Sequence, residues 1–325
     1  MFPPRLRALT LLVCATLIAA LALPVTSGAA QTRLKVVATF SILGDWVANI
    51  AADKIDLEVL VGPGSDSHTY EPSPADSAAL SDADLIFEIG AEFEPWLDAL
   101  VKASGTQAKR IVLTEGLELL PFEGHAHDKE DMHHGGEGTA EEKKEDHEHG
   151  EFDPHVWHDV SLVIRMVERI RDALSEADPD NAQAYAGNAA LYIIELGLLD
   201  GEILLSVDEI PEGRRILITT HETFAYFGAR YGFEVDSALG LTTESADPSA
   251  GEIAELIERV RKSGVPAIFA DNVTNPSLME QIAREAGVKL APPLFTDALG
   301  EPGSDGETYL EMMRYNLRTI VEALK

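Results

Sequence analysis

The stretch LKVVATFSILGDWVANIAADKIDLEVLVG, residues 34–62, places a helical pattern between two short apolar runs. The outer runs, LKVVATF and IDLEVLVG, are rich in β-branched residues and predict strands, whereas SILGDWVANIAA predicts a helix between them. A strand, a helix and a second strand in this order indicate parallel strands with a crossover helix. This stretch therefore predicts an α/β fold.

The same alternation continues along the rest of the chain. Further strands are predicted at residues 84–90, 110–116, 214–220, 233–240, 266–272 and 289–295, with helical patterns between most of them. One long helical stretch, residues 181–210, lies between the two sets of strands, and a chain of this length usually exceeds what one core organises. We expect two (β/α) lobes with mainly parallel sheets, at residues 31–180 and 211–325, joined by one long backbone helix at 181–210.

Residues 1–30 predict a signal peptide. Arg5 and Arg7 precede an uncharged apolar run, Ala8 to Leu23, and small residues follow it up to Ala30. We therefore expect export to the periplasm, with cleavage near Ala30. The single cysteine, Cys14, lies inside the apolar run and follows a valine, so it does not resemble a lipid-attachment cysteine. The mature chain would then offer no thiolate to a metal.

The chain is strongly acidic, with a formal net charge of −31 at pH 7. Such a field repels nucleic acid and anionic lipid, and it concentrates cations. A nucleic-acid partner is therefore not expected.

Six of the ten histidines lie in one acidic segment, residues 123–151, which contains no valine, isoleucine or leucine. Such a segment cannot bury enough apolar area to offset the entropy of ordering it, so we expect a disordered loop. The six histidines are His125, His127, His133, His134, His147 and His149.

Three of the other four histidines, together with one aspartate, follow predicted strands or begin helices. His68 and His221 each follow a predicted strand, His155 stands beside the helix-start pair Asp153-Pro154, and Asp297 follows the last predicted strand. Thr219 and Glu222 have the spacing of a capping box for a helix that would begin at His221. Taken singly, each is better explained as a surface or capping residue. Ligands of open α/β sheets bind at the carboxyl ends of the strands, so jointly these residues predict one site in the cleft between the lobes.

Three neutral imidazoles and one carboxylate suit a borderline divalent ion in tetrahedral geometry. Zn(II) is the natural occupant of such a set, whereas Mn(II) is better served by more oxygen ligands. The four residues therefore predict a zinc site.

Four motifs resemble a known family in the same order. GSDSHTYEPSPAD, DPHVW, TTHETFAYFGARYG and LFTDALG are similar to motifs of the cluster A-I metal-binding solute-binding proteins of ABC transporters, the ZnuA/TroA-like periplasmic zinc-uptake proteins. The resemblance covers almost the whole mature chain. It implies two (β/α) lobes, one long backbone helix, and a metal held between the lobes for delivery to a membrane permease.

The resemblance also assigns residues. It makes His68, His155, His221 and Asp297 the ligands, and histidine at 221, where manganese-type relatives usually have glutamate, favours zinc. The loop histidines resemble a low-affinity metal collector. His158 departs from the family, which usually has an apolar residue there, so we expect it beside the site or at the surface rather than as a ligand. Asp271 and Glu71 are weaker alternative ligands.

The function that we expect is a periplasmic binding protein, not an enzyme, that captures Zn(II) and delivers it to an ABC transporter permease. A monomer is expected, and a periplasmic metallochaperone is a further candidate partner. Three alternatives remain: a manganese or iron transport protein of the same family, a metal-storing surface or adhesin protein, and a zinc hydrolase with Glu71 or Glu222 as general base. No HExxH motif or nucleophile elbow occurs, which argues against the hydrolase.

Overall fold

The computed structural model describes residues 33–122, 151–240 and 248–325 of the chain. These residues form a mixed α/β fold with parallel strands and one long helix, as the sequence predicts. The first part contains one four-stranded parallel sheet with the order β2-β1-β3-β4. Its elements are β1 (Leu34–Phe40), α1 (Ser41–Ala51), β2 (Ile55–Val61), α2 (Pro74–Asp82), β3 (Leu85–Glu88), α3 (Leu97–Ser104) and β4 (Lys109–Val112).

The β1-α1-β2 unit forms as the opening stretch predicts. Residues 36–40 of β1 are buried, and β1 pairs in parallel with β2 and β3. Helix α1 packs so closely on β2 that a Cβ added at Gly44 would lie 2.6 Å from Cγ2 of Val59. A larger residue at this position would therefore require the Val59 side chain or helix α1 to shift, because real Cβ atoms do not approach another carbon so closely.

Two helices connect the sheet to the second part. They are α4 (Val160–Ala177), which follows a short 3₁₀ helix at Val156–His158, and α5 (Ala182–Val207). At 1.5 Å per residue the 26 residues of α5 extend over about 39 Å. One face of α5 is buried, whereas Leu191, Leu198 and Leu205 are exposed on the other.

The second part contains two parallel strand pairs, β5-β6 and β7-β8. Its elements are β5 (Ile216–Thr219), α6 (Ala225–Tyr231), β6 (Glu234–Ser237), α7 (Ala250–Ser263), β7 (Ala267–Ile268), α8 (Ser277–Ala286), β8 (Lys289–Leu290) and α9 (Tyr309–Leu324). Strands β7 and β8 are shorter than predicted, because Pro292 and Pro293 have no N–H to continue the ladder. An isolated bridge between Asp271 and Leu294 resumes the parallel pairing beyond them.

One expected helix start is wrong. The predicted capping box at Thr219 and Glu222 is absent from this described segment, because α6 begins four residues later, at Ala225, and the Thr219 hydroxyl donates to the carbonyl oxygen of His221. His221 therefore lies in an irregular turn between β5 and α6 and not in the first turn of a helix.

A continuous hydrophobic core and several hydrogen bonds connect the two parts. Trp157 Nε1 donates to the carbonyl oxygen of Thr296 at 2.9 Å, and the Tyr309 hydroxyl donates to the carbonyl oxygen of Trp157 at 2.7 Å. The lobe boundaries at 180/181 and 210/211 remain predictions. Across the three described ranges, none of the helices combines the length and the apolar character that a membrane span requires.

Candidate metal centre

Four side chains from distant parts of the sequence meet in the interior. His68, His155, His221 and Asp297 each offer one ligand atom, and these atoms all lie within 4.8 Å of one another. All four residues are buried, with His68 the most exposed at 3%. We call this group the four-residue cluster.

The distances within the cluster are short. His68 Nε2 lies 3.3 Å from His155 Nε2, and Asp297 Oδ2 lies 2.9 Å from His221 Nε2. Asp297 Oδ1 is 3.6 Å from His155 Nε2, and Asp297 Oδ2 is 3.8 Å from His68 Nε2. Three imidazole nitrogens and a carboxylate therefore converge on one point.

Each ligand candidate is positioned by a loop at the end of a regular element. His68 lies between β2 and α2, and its backbone N–H donates to Oδ1 of Asp66 at 2.8 Å. His155 immediately precedes the 3₁₀ helix at Val156–His158, and Asp297 lies in the loop beyond β8. The loops of His68, His221 and Asp297 follow β2, β5 and β8, each of which pairs in parallel with a neighbouring strand, whereas His155 is placed by the segment before the 3₁₀ helix.

Two of the imidazoles have a carboxylate behind them. His155 Nδ1 lies 2.7 Å from Asp153 Oδ1, which also accepts the backbone N–H of His155. His221 Nδ1 lies 2.5 Å from Asp271 Oδ2. A carboxylate at Nδ1 holds the proton on that nitrogen and turns the Nε2 lone pair toward the centre, as it does behind metal-bound histidines.

The pKa values of the cluster side chains are shifted in different directions. Burial lowers the pKa of His68 to about 3, so this ring is neutral at pH 7. Burial also opposes the protonation of His221, but Asp297 and Asp271 together raise its pKa well above the ordinary value. Burial acts to raise the pKa of Asp297, but His221, His155 and His68 lower it. Asp297 is therefore an anion facing three imidazoles.

Two atoms of the cluster, His221 Nε2 and Asp297 Oδ2, lie 2.9 Å apart as an ion pair but make no well-oriented hydrogen bond to any described residue. Buried polar atoms without partners are costly and rare. Both atoms point into the cluster, so a divalent cation bound by the four side chains would satisfy both. The donor set fits such an ion.

The alternative ligands have other positions. Asp271 contacts Nδ1 of His221 and lies behind the ring, and Glu71 is exposed at the surface. His158 is buried, stacks on Phe224 with ring centroids 4.4 Å apart, and lies outside the four-residue cluster. Glu222 is half-buried, and burial, Asp153 and Asp236 raise its pKa to about 7.

Sequence reasoning missed the role of Asp153 and overlooked Thr223. Asp153 stands two residues before His155 in DPHVW, so its spacing was a signal for a partner of that ring. Thr223 Oγ1 lies 3.5 Å from Asp297 Oδ1 and 3.3 Å from His158 Nε2, and nothing in the sequence signals these contacts. The loop histidines and the predicted signal peptide lie outside the described residues.

Comparison with known proteins places the chain in a family. The family model for the zinc-uptake complex component A, periplasmic (ZnuA), matches residues 36–323. The manganese-binding lipoprotein MntA of Halalkalibacterium halodurans is 34% identical over 291 residues, which are 90% of this chain and 88% of that protein. The metal ABC transporter substrate-binding lipoprotein SsaB of Streptococcus sanguinis is 32% identical over 300 residues, 90% of each chain.

A solved structure gives the same result. The periplasmic zinc binding protein TroA from Treponema pallidum superposes with a TM-score of 0.77 at 29% identity, covering 90% of this chain and 99% of that one. The fold, the buried four-residue cluster and the relatives agree. The chain therefore belongs to the ZnuA family and is the metal-binding, substrate-binding component of an ABC transporter.

Proposed function

We propose that the protein captures Zn(II) outside the cytoplasmic membrane and delivers it to the membrane permease of an ABC transporter. The observation that carries this proposal is the four-residue cluster, in which three imidazole nitrogens and one carboxylate converge in the protein interior. Four protein ligands of this kind form the closed tetrahedral shell that Zn(II) prefers. His68, His155, His221 and Asp297 are the proposed ligands.

Manganese is the second candidate metal. It is supported by the relative that is named for manganese binding, and by Asp297, both of whose oxygens lie within 4 Å of a cluster imidazole. A carboxylate that binds through both oxygens adds an oxygen ligand, which suits Mn(II). Nitrogen supplies three of the four donors, however, and this balance favours zinc.

A competitive titration separates the two metals. Mature protein stripped of metal would be titrated with zinc and with manganese against a chromophoric chelator of known affinity. We expect one tightly bound equivalent of zinc and a weaker affinity for manganese. Among first-row divalent metals, Mn(II) generally binds a given nitrogen-rich site most weakly, and Zn(II) binds it more tightly. A tighter affinity for manganese would favour the second candidate over zinc.

Deletion of the histidine-rich segment tests the storage alternative. The segment can be removed cleanly because its flanks are paired: the Phe122 N–H donates to the carbonyl oxygen of Glu151 at 3.1 Å, and the Asp153 N–H donates to that of Leu120 at 2.9 Å. Residues 123–150 would be replaced by an Asn-Gly turn, which suits an antiparallel pair. We expect the tight equivalent to survive and the weaker equivalents to disappear. Loss of the tight equivalent would favour a storage or adhesin protein.

The hydrolase alternative requires an open coordination position for water. The proposed ligand set supplies four protein donors, and the relative SsaB is named a substrate-binding lipoprotein of a metal ABC transporter. We therefore propose transport without catalysis. Absence of turnover of ester and peptide substrates by the zinc-loaded protein is the expected result.

We propose that the mature protein is a periplasmic monomer, released by cleavage near Ala30. Two relatives are named lipoproteins, whereas Cys14 lies within the apolar run of the leader. Mass spectrometry of the exported protein would distinguish the two states. A chain that begins near residue 31 supports release from the membrane. A lipid on Cys14 would show instead that the protein is anchored to the membrane.

A further inference from the structure

A buried histidine that the proposed ligand set does not use lies beside the cluster. His158 and Thr223 are both fully buried. The Thr223 hydroxyl oxygen lies 3.3 Å from His158 Nε2 and donates to Asp297 Oδ1 at 3.5 Å. The three side chains therefore form a row that ends on one oxygen of the proposed carboxylate ligand.

The proton positions along this row follow from counting partners. Within the described residues, His158 Nδ1 has no hydrogen-bond partner. A proton on Nδ1 would be buried without an acceptor, and Nε2 would then take the Thr223 proton away from Asp297. A proton on Nε2 is donated to Thr223, which leaves the Thr223 proton for the anionic Asp297. The second arrangement makes more hydrogen bonds, one of them to a charge, and is favoured.

The two oxygens of Asp297 consequently have different surroundings. Oδ1 accepts the Thr223 hydroxyl, whereas Oδ2 has no hydrogen-bond partner among the described residues and lies 2.9 Å from His221 Nε2. A metal at the centre of the cluster would compete with Thr223 for Oδ1 but not for Oδ2.

We infer that His158 and Thr223 are positioning residues that reserve Oδ1 of Asp297, so that the cargo metal binds through Oδ2 alone. This inference rests on the proposed function and specifies how the same site chooses its metal. With one carboxylate oxygen the ion has four protein ligands, as Zn(II) prefers. With both oxygens the ion has five protein ligands, and the additional oxygen ligand suits Mn(II).

Matched substitutions separate this role from packing. Thr223→Val removes the hydroxyl at nearly constant shape, and Thr223→Ser keeps it. His158→Leu removes the ring donor, and His158→Gln retains a side-chain N–H. If His158→Leu fails to fold, the Thr223 pair still decides the question, because valine and threonine have nearly the same volume.

Two measurements test the inference. The first is the ratio of zinc to manganese affinity by competitive titration, and the second is the visible spectrum of the protein loaded with Co(II) alone, whose ligand-field bands are stronger in four-coordinate sites than in five-coordinate ones. We expect Thr223→Val and His158→Leu to lower the zinc-to-manganese ratio by about tenfold, in the range of other outer contacts to metal ligands, and to weaken the cobalt bands. Thr223→Ser and His158→Gln should resemble the unmodified protein.

Four-coordinate cobalt spectra and unchanged affinity ratios in Thr223→Val would overturn the inference, as would a five-coordinate spectrum in the unmodified protein. Either result leaves zinc capture standing if the unmodified protein still binds zinc tightly. Failure of the unmodified protein to bind zinc would refute the proposed function itself.

Discussion

Asp297 and Glu94 are both buried carboxyl groups, but their neighbours differ in kind. Asp297 faces His68, His155 and His221 in the four-residue cluster. Glu94 accepts hydrogen bonds from neutral donors: the Thr39 hydroxyl at 2.7 Å and the backbone N–H groups of residues 89 and 90 at 2.9 and 3.1 Å. Phe93, the residue before Glu94, packs against His68 with ring centroids 5.0 Å apart.

The difference determines the charge of each group. Burial raises the pKa of Glu94 to about 7, because the neutral donors only partly replace its hydration. Burial acts on Asp297 in the same direction, but the three imidazoles outweigh it and lower the pKa of that group. A buried carboxyl group therefore becomes a candidate cation ligand when its neighbours are converging imidazoles. A buried carboxyl group that has only neutral hydrogen-bond donors around it, such as Glu94, instead takes up a proton near pH 7.

The largest expected effect tests the Asp297 side of this comparison. His221→Ala should weaken zinc affinity by several orders of magnitude, because it removes a proposed ligand and leaves Asp271 buried without its partner. Competitive titration of metal-stripped protein measures the effect. Glu94→Gln, which alters the other carboxyl group, is the control and should bind zinc as the unmodified protein does. Equal zinc affinity in His221→Ala and the control would refute the ligand assignment.

The next effect concerns Glu94 and the pH dependence of stability. The pKa of Glu94 is raised from its ordinary 4.5 to about 7 by burial, so the folded state binds this proton more tightly than the unfolded state. Its contribution to stability is fully present below about pH 4.5 and is lost as the pH rises through 7. Glu94→Gln removes this loss. Relative to the unmodified protein, the variant should gain about 2.5 kcal/mol between pH 5 and pH 8.

Denaturant unfolding of the metal-free proteins at pH 5, 6, 7 and 8 measures this change. Only the difference between the two proteins isolates Glu94, because burial also raises the pKa of Asp45 to about 6 and that of Glu222 to about 7. The variant leaves the Gly90 N–H facing an amide nitrogen, so it should be the less stable protein at pH 5. Parallel pH profiles would show that Glu94 does not titrate in this range.

A smaller effect on zinc affinity is expected for Asp271, which lies behind the ring of the proposed ligand His221. Asp271→Asn keeps an oxygen near His221 Nδ1 but removes the charge that makes the imidazole a better ligand. Zinc affinity should fall roughly 10–100-fold, as for other partners of metal-bound histidines. Asp236→Asn is the control, since Asp236 pairs with Arg259 at 2.9 Å and has no contact with the cluster. A fall of the same size in the control would point to general electrostatics.

The structure brings together the four residues that the sequence proposes as ligands, and their role as ligands stays a prediction, whereas the contacts around them were not predicted. His68, His221 and Asp297 were identifiable because each follows a strand, and parallel strands end at one edge. The partner of His221, Asp271, was considered only as an alternative ligand, because a sequence does not show whether a carboxylate lies in front of a ring or behind it. The burial of His158 was also not predictable, since its surroundings are built by residues 65 positions away.

Strand lengths show the same limit. The β1-α1-β2 unit was predicted almost to the residue, because the apolar pattern of Leu34–Phe40 is decided locally by burial on both faces of a central strand. In the second part the predicted strands at 266–272 and 289–295 shrink to two residues each. Apolar composition alone did not reveal that the proline pair interrupts the ladder there.

The smallest expected effect returns to the donors of Glu94. Thr39→Val removes the hydroxyl that lies 2.7 Å from Glu94 Oε1 and keeps the shape of the side chain. A hydrogen bond to an ionised carboxylate contributes more than one to a neutral carboxyl group, roughly 1.5–3 against 0.5–1.5 kcal/mol. The variant should therefore lose about 1 kcal/mol more stability at pH 8 than at pH 5. Denaturant unfolding of the metal-free variant at these two pH values measures the difference, and zinc affinity should not change.

In the Glu94→Gln background the pH dependence of the loss should vanish, because no charge remains to be stabilised. A loss that is equal at both pH values in both backgrounds would mean that Glu94 keeps one protonation state, and the contrast with Asp297 would then have to rest on the metal site alone.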